Sequence, residues 1–169
     1  MVDTLNLTGA DMSAGDFDPI ASGTYPAVIT RFEQSFTQGG ENAKLPGGTP
    51  MFNVGFAIKE GATDKEGNPV GGRWVWRNFI VAPAQVDGKP YEHKKRMDGQ
   101  LARFFTAIGY TEEQVTSGDF SIDADDIVGR ECAVVVQKYM NDYKGEWDNK
   151  VNGVKPISSI ESAGIGGLT

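Results

Sequence analysis

The sequence predicts a mainly β fold: a five-stranded Greek-key barrel with a helix between its third and fourth strands. Three observations predict it. Short runs of β-branched and aromatic residues recur between turn clusters drawn from 22 glycines and 8 prolines, the punctuation of a turn-rich β chain. Only one stretch sustains a long apolar stripe at helical spacing, and it falls late in the order of elements. A length of 169 residues, 39% hydrophobic and 23% charged, suits one domain with one core.

Residues 1–22 carry Asp3, Asp11, Asp16 and Asp18 with no sustained period and read as an acidic, partly disordered arm. The folded domain is expected over 23–156. Its first strand is 23–32, where Pro26 is tolerable near the start or on an edge. Gly39-Gly40, Pro46 and Gly47-Gly48 make 34–49 a long polar loop, of a kind that more often carries function than not. No Gly-Lys-Ser/Thr follows it, so it is not a phosphate loop. The second strand, 51–60, alternates cleanly, with Phe52, Val54, Phe56 and Ile58 opposite Met51, Asn53, Gly55 and Ala57. The small residues of the second set leave a shallow surface beside the next strand. Glu66-Gly67-Asn68-Pro69 and Gly71-Gly72 then turn the chain into a hairpin.

The third strand, 72–81, holds two of the three tryptophans and two arginines. Alternation puts Trp74, Trp76, Asn78 and Ile80 on one face and Arg73, Val75, Arg77, Phe79 and Val81 on the other, so neither face is cleanly polar. Flat aromatics among guanidiniums are a means of holding unpaired bases: the π-faces stack and the phosphates meet the charge. The alternative is a buried strand with core tryptophans and arginine stems along its edge.

Met97, Leu101, Phe104, Phe105 and Ile108 follow at helical offsets, one apolar stripe that stops at Gly109. Phe104 and Phe105 are thereby assigned to the inside, as a plug, rather than to a binding surface. Thr111-Glu112-Glu113-Gln114 has capping-box spacing for a short second helix ending near Gly118. Asp123-Ala124-Asp125-Asp126 lacks the glycine and the distant glutamate of a calcium loop and reads as turn and cap. The fourth strand, 131–140, sets Cys132, Val134 and Val136 opposite Ala133, Val135, Gln137 and Tyr139. Asn141-Asp142-Tyr143-Lys144-Gly145 is a tight turn that exposes an aromatic and a lysine. The fifth strand, 146–156, contains Trp147 and Lys150, with a kink or bulge at Asn152-Gly153. Residues 157–169 read as a flexible Ser/Gly-rich tail.

Strand, long loop, strand, hairpin, strand, helix, strand, tight turn, strand is the element order of the OB barrel. That fold binds ligands on the face of strands two and three, with the loops joining strands one to two and four to five. The tryptophans lie on strand three, so the glycine-rich loop and the Tyr143-Lys144 turn are expected at the two other edges of one groove. The expected nucleic-acid-binding residues are Arg73, Trp74, Trp76, Arg77, Lys138, Tyr139, Tyr143, Lys144, Trp147 and Lys150. Arg77 needs a bulge near Trp76 to turn it to the tryptophan face.

Five segments carry a resemblance: Gly23-Thr24-Tyr25-Pro26-Ala27-Val28-Ile29-Thr30, Gly72-Arg73 leading into the tryptophan strand, Gln100-Leu101-Ala102-Arg103-Phe104-Phe105, Asp126-Ile127-Val128-Gly129-Arg130-Glu131, and Tyr143-Lys144-Gly145 before Val154-Lys155-Pro156. In this order, over about 20–156, the chain resembles the small phage-encoded single-stranded-DNA-binding proteins. The resemblance implies an OB-like fold and a role in phage DNA replication or recombination in the cytoplasm of a bacterial host. The partners it implies are single-stranded DNA and phage or host replication and recombination proteins. Many single-strand-binding proteins recruit partners through an acidic tail; here the last thirteen residues contain only Glu161, so tail-mediated recruitment is not expected.

Composition restricts the other classes. A net charge of -7 and a pI near 4.7 argue against coating nucleic acid by bulk charge, although 73–103 carries +4 and 111–131 carries -6. One histidine, His93, and one cysteine, Cys132 in an apolar strand, supply no nucleophile set and no metal spacing. No enzyme activity, cofactor, metal or disulfide is therefore expected. No basic region followed by an apolar run opens the chain, and no stretch approaches the ~18 apolar residues of a membrane helix, so a soluble, unexported protein with no membrane partner is expected. The rival function is a protein-interaction or virion β-barrel module anchored by Trp74 and Trp76. The pattern leaves a homo-oligomer open.

Overall fold

A computed structural model describes residues 4–8, 19–40 and 43–162. Most of the expected acidic arm and the tail from 163 onward lie outside the described residues. The fold is mainly β. In chain order come β1 (Gly23–Phe36), β2 (Pro50–Ile58), β3 (Trp74–Ile80), the two-residue strands β4 (Gln85–Val86) and β5 (Lys89–Pro90), α1 (Lys94–Ala107), α2 (Glu112–Val115), α3 (Ala124–Ile127), β6 (Glu131–Asn141), β7 (Glu146–Lys155) and α4 (Ser158–Ser162).

The five long strands form one antiparallel sheet in the order β3-β2-β1-β6-β7. β1 is central: its first half pairs with β6, from Gly23 opposite Val136 to Val28 opposite Glu131, and its second half with β2, ending at Phe36 opposite Pro50. β3 and β7 are the two edges, and no ladder joins them. The sheet is thus not closed by hydrogen bonds into the expected barrel.

A bulge in β1 decides which side chains face inward. The register slips between Ile29 and Arg31, so Ile29 and Phe32, three residues apart, both reach the core, while Arg31 and Glu33 turn to the outer face. The extra residue, Thr30, is left out of the pairing, as a bulge requires. β7 has the expected irregularity at Asn152, where the register slips between Val135 and Val136 of β6.

α1 lays its apolar stripe on the inner face of the sheet. Phe104 is its centre, with its ring centroid 4.7 Å from Phe79, 6.3 Å from Phe32 and 6.4 Å from Phe56. Phe104 and Phe105 are fully buried beside Ile29, Val54 and Val134, which is the inside position assigned from periodicity. Truncating such a phenylalanine costs about 3–5 kcal/mol in comparable cores. Thr111 and Gln114 form the expected capping box, and Asp123 caps α3 by accepting from Asp125 N at 3.0 Å. The predicted flexible tail begins with α4, whose Ile160 is buried, because an apolar residue there meets Pro26 and Ala62 in a pocket.

Candidate nucleic-acid interface

β6 outlasts its partner β1. Their pairing stops at Val136, whereas the β6–β7 ladder continues to Asn141 opposite Glu146, so residues 137–150 project as a hairpin past the start of β1. The turn is built locally: Asn141 Oδ1 accepts from the amides of Tyr143 (3.1 Å) and Lys144 (3.2 Å), and Gly145 takes φ +70°, a conformation open to glycine at little strain. The chain before β1 braces the hairpin. Asn149 binds both backbone groups of Ile20, accepting from its N–H at 2.8 Å and donating to its carbonyl at 2.9 Å. The Lys138 amide donates to Ser22 Oγ at 2.8 Å.

Between this hairpin and β3 lies a groove of about 750 Å³, in the range of ligand sites (~300–1,000 Å³). Arg73, Trp74 and Trp76 line one wall, and Lys138 and Trp147 line the other. All three tryptophans are half exposed, Trp74 at 51%, Trp76 at 44% and Trp147 at 53%, so the core-tryptophan alternative is discarded. Trp74 and Trp76 are tilted neighbours, 5.7 Å between centroids. Lys138 Nζ lies 5.5 Å from the Trp147 ring centroid, so a cation is already placed at an aromatic platform.

Gly55 positions Trp76. The two residues face each other across β2 and β3, and a Cβ on Gly55 would stand 2.7 Å from the Trp76 ring. The indole therefore lies against the sheet where any larger residue would lift it. This is the shallow surface that the small residues of β2 predicted.

Five of the ten expected residues, Arg73, Trp74, Trp76, Lys138 and Trp147, come together in the groove. The others do not line it. Arg77 stays on the core side with Val75 and Phe79, because the β2–β3 register runs without the bulge that would turn it. Burial, and then the charge of Arg103, pull its guanidinium below the ordinary value. Tyr139 and Lys150 lie on the back of the hairpin, where Lys150 Nζ sits 4.9 Å from the Tyr139 ring centroid. Tyr143 stands at the tip, 99% exposed. Lys144, also at the turn, approaches Asp148 at 3.6 Å.

The glycine-rich loop also misses the groove. The register that pairs Phe36 with Pro50 and Met51 with Ile80 places it at the far end of β3, six residues and roughly 20 Å from Trp74 at about 3.3 Å per residue. There it meets the β4–β5 hairpin. Its ends are latched, with Thr37 Oγ1 and Thr49 Oγ1 both donating to the Pro46 carbonyl, at 2.8 and 2.7 Å.

Three participants were not foreseen. Glu146 and Asp148 also line the hairpin wall, although Asp148 pairs with Tyr139 across the ladder and its carboxylate turns to Asn141 and Lys144. Asp148 is held below the usual carboxylate range, first by the Asn149 amide and further by Asn141 and Lys144. Arg31 of β1 places its guanidinium carbon 5.8 Å from the Trp76 ring centroid. Among the described residues no three histidine, cysteine or acidic side chains gather as a metal site, and no helix is long and apolar enough to cross a membrane. The chain matches no known protein-family model and no curated protein sequence.

Proposed function

We propose that this protein is an OB-like domain that holds single-stranded DNA without strong sequence preference, by binding alone, in phage DNA replication or recombination. The observation that carries the reading is the convergence of all three tryptophans, each half exposed, on one groove with Arg73 and Lys138. Exposed indoles gathered in one place mark a contact surface. Every base has a π-face, so aromatic stacking is tolerant of sequence, and the cations meet the backbone.

The strand order supports the OB-like assignment. With β6 and β7 taken as strands four and five, β3-β2-β1-β6-β7 is the order of such a barrel unrolled at the seam between strands three and five, and α1 falls between strands three and four. Phage origin, host cytoplasm and replication or recombination partners come from the sequence resemblance.

Titrating the intrinsic fluorescence with oligo-dT and with duplex, each at two salt concentrations, tests this reading. Quenching by oligo-dT alone, weakening steeply with salt through counterion release, is expected. Quenching by neither nucleic acid would remove the proposal. Glu146 and Asp148 in the groove wall favour one rival, a protein partner anchored on the tryptophans, whose binding would respond weakly to salt.

A further inference from the structure

The outer face of the sheet continues the aromatic surface away from the hairpin. Arg31 faces Gly55, and Gly55 faces Trp76, so the three form one row across β1, β2 and β3. With no side chain between them, guanidinium and indole meet over the glycine, 5.8 Å from the Arg31 carbon to the ring centroid. Arg31 is also held from the other side: its Nη2 donates to Glu33 Oε2 at 2.8 Å, and both side chains are 52% exposed. Glu33 points the same way because the bulge at Thr30 turns both residues outward together.

We propose that Arg31 and Glu33 extend the binding track beyond the groove: a base stacked on Trp76 brings its backbone phosphate to Arg31, and Glu33 occupies that guanidinium until the phosphate displaces it. The inference rests on the single-strand reading and adds a contact and a competitor that lie outside the groove. The chemistry favours the exchange. A guanidinium binds a phosphate oxygen pair in the same forked geometry as a carboxylate. An exposed ion pair on one strand is weak enough to be given up. Removing the carboxylate should therefore strengthen binding, which a merely structural ion pair would not do.

The experiment compares Arg31→Ala, Glu33→Gln and the double variant with the parent protein, titrating oligo-dT over a salt series and recording a melting temperature for each. Glu33→Gln is expected to tighten binding about two- to five-fold, the fold-change equivalent of an exposed ion pair. Arg31→Ala is expected to weaken it and to lower the salt slope by about 0.7, one phosphate contact. The double variant should match Arg31→Ala, since Glu33 acts only through the arginine. If the parent binds and neither single variant changes affinity or slope, or if Glu33→Gln tightens binding equally without Arg31, the inference is overturned and the groove reading stands. If the parent fails to bind, the groove reading falls and takes this inference with it.

Discussion

Arg77 of β3 donates from Nη1 to the carbonyl of Val151 of β7 at 3.2 Å, a single side chain bridging two strands that share no ladder. Its guanidinium carbon also lies 4.7 Å from the Phe79 ring centroid. A backbone carbonyl on an open sheet edge is thereby satisfied from across the seam, and the arginine that needed a bulge to reach the tryptophan face acts as a strut.

Arg77→Met should therefore lower stability by about 1.5–3 kcal/mol, the range for a hydrogen bond made by a charged group, while the salt slope for oligo-dT stays unchanged. Lys138→Ala should do the reverse, leaving the denaturant midpoint in place and reducing the slope by about 0.7. Urea titration and salt-dependent binding on both variants check the pair. A slope change in Arg77→Met without loss of stability would return that arginine to the site.

Trp76→Ala and Trp147→Ala should each weaken oligo-dT binding by about 1–3 kcal/mol, the loss of one stacking platform. Both indoles are half exposed, so the melting temperature should move little. A large drop in melting temperature with unchanged affinity would make these tryptophans structural.

Gly55→Ala changes no group that could touch DNA directly. The added methyl would sit 2.7 Å from the far edge of the Trp76 ring, so the ring must lift from the sheet. Affinity is expected to fall part of the way toward that of Trp76→Ala, with a shifted tryptophan emission maximum and an unchanged far-ultraviolet circular dichroism spectrum. Parent-like emission would show that the platform does not depend on the glycine.

Asp126 links α3 to its surroundings, accepting from the Tyr110 hydroxyl at 2.5 Å and from Arg130 Nη2 at 3.0 Å. The Tyr110 hydroxyl first, and Arg130 second, hold its carboxyl below the usual range. A carboxylate whose pKa is lower folded than unfolded adds stability that is fully present above the unfolded value, about 3.9, and is lost as pH falls through the folded one. Asp126→Asn should thus melt below the parent at pH 7, and the gap should close on acidification through that window. A gap independent of pH would show that the ionised carboxylate is not what matters.

Much of this was legible because it depends on short-range rules. Period-two alternation separates Trp74 and Trp76 from Val75 and Phe79, and the structure keeps that separation. The same rule already set Tyr139 on the face of Gln137, opposite the strand's core residues, and so away from the groove side of the hairpin. Capping at Thr111 and the bulge at Asn152 were also visible, because local chemistry dictates both. Arg31 was hidden for the opposite reason. Counting in twos from Ile29 points it inward, and only the slip at Thr30, set by packing Phe32 against Phe52 and Phe104, sends it out. The place of Glu146 and Asp148 in the groove lining was likewise invisible, since it depends on how the hairpin stands against β3, and the hairpin is braced by Asn149 gripping Ile20, far away in sequence.

The central position of β1 has a consequence for the order of assembly during synthesis. Gly23 finds its partner in Val136, so the sheet cannot be completed until most of the chain has left the ribosome. Before then only the local meander β1-β2-β3 has partners to pair with. Contacts so distant in sequence carry a loop-closure cost and slow folding. A nascent chain would therefore leave β1 as the unfinished edge of a three-stranded sheet, the form most open to association with other chains. Translation rate and chaperone supply, rather than final stability, should then govern the yield of folded protein.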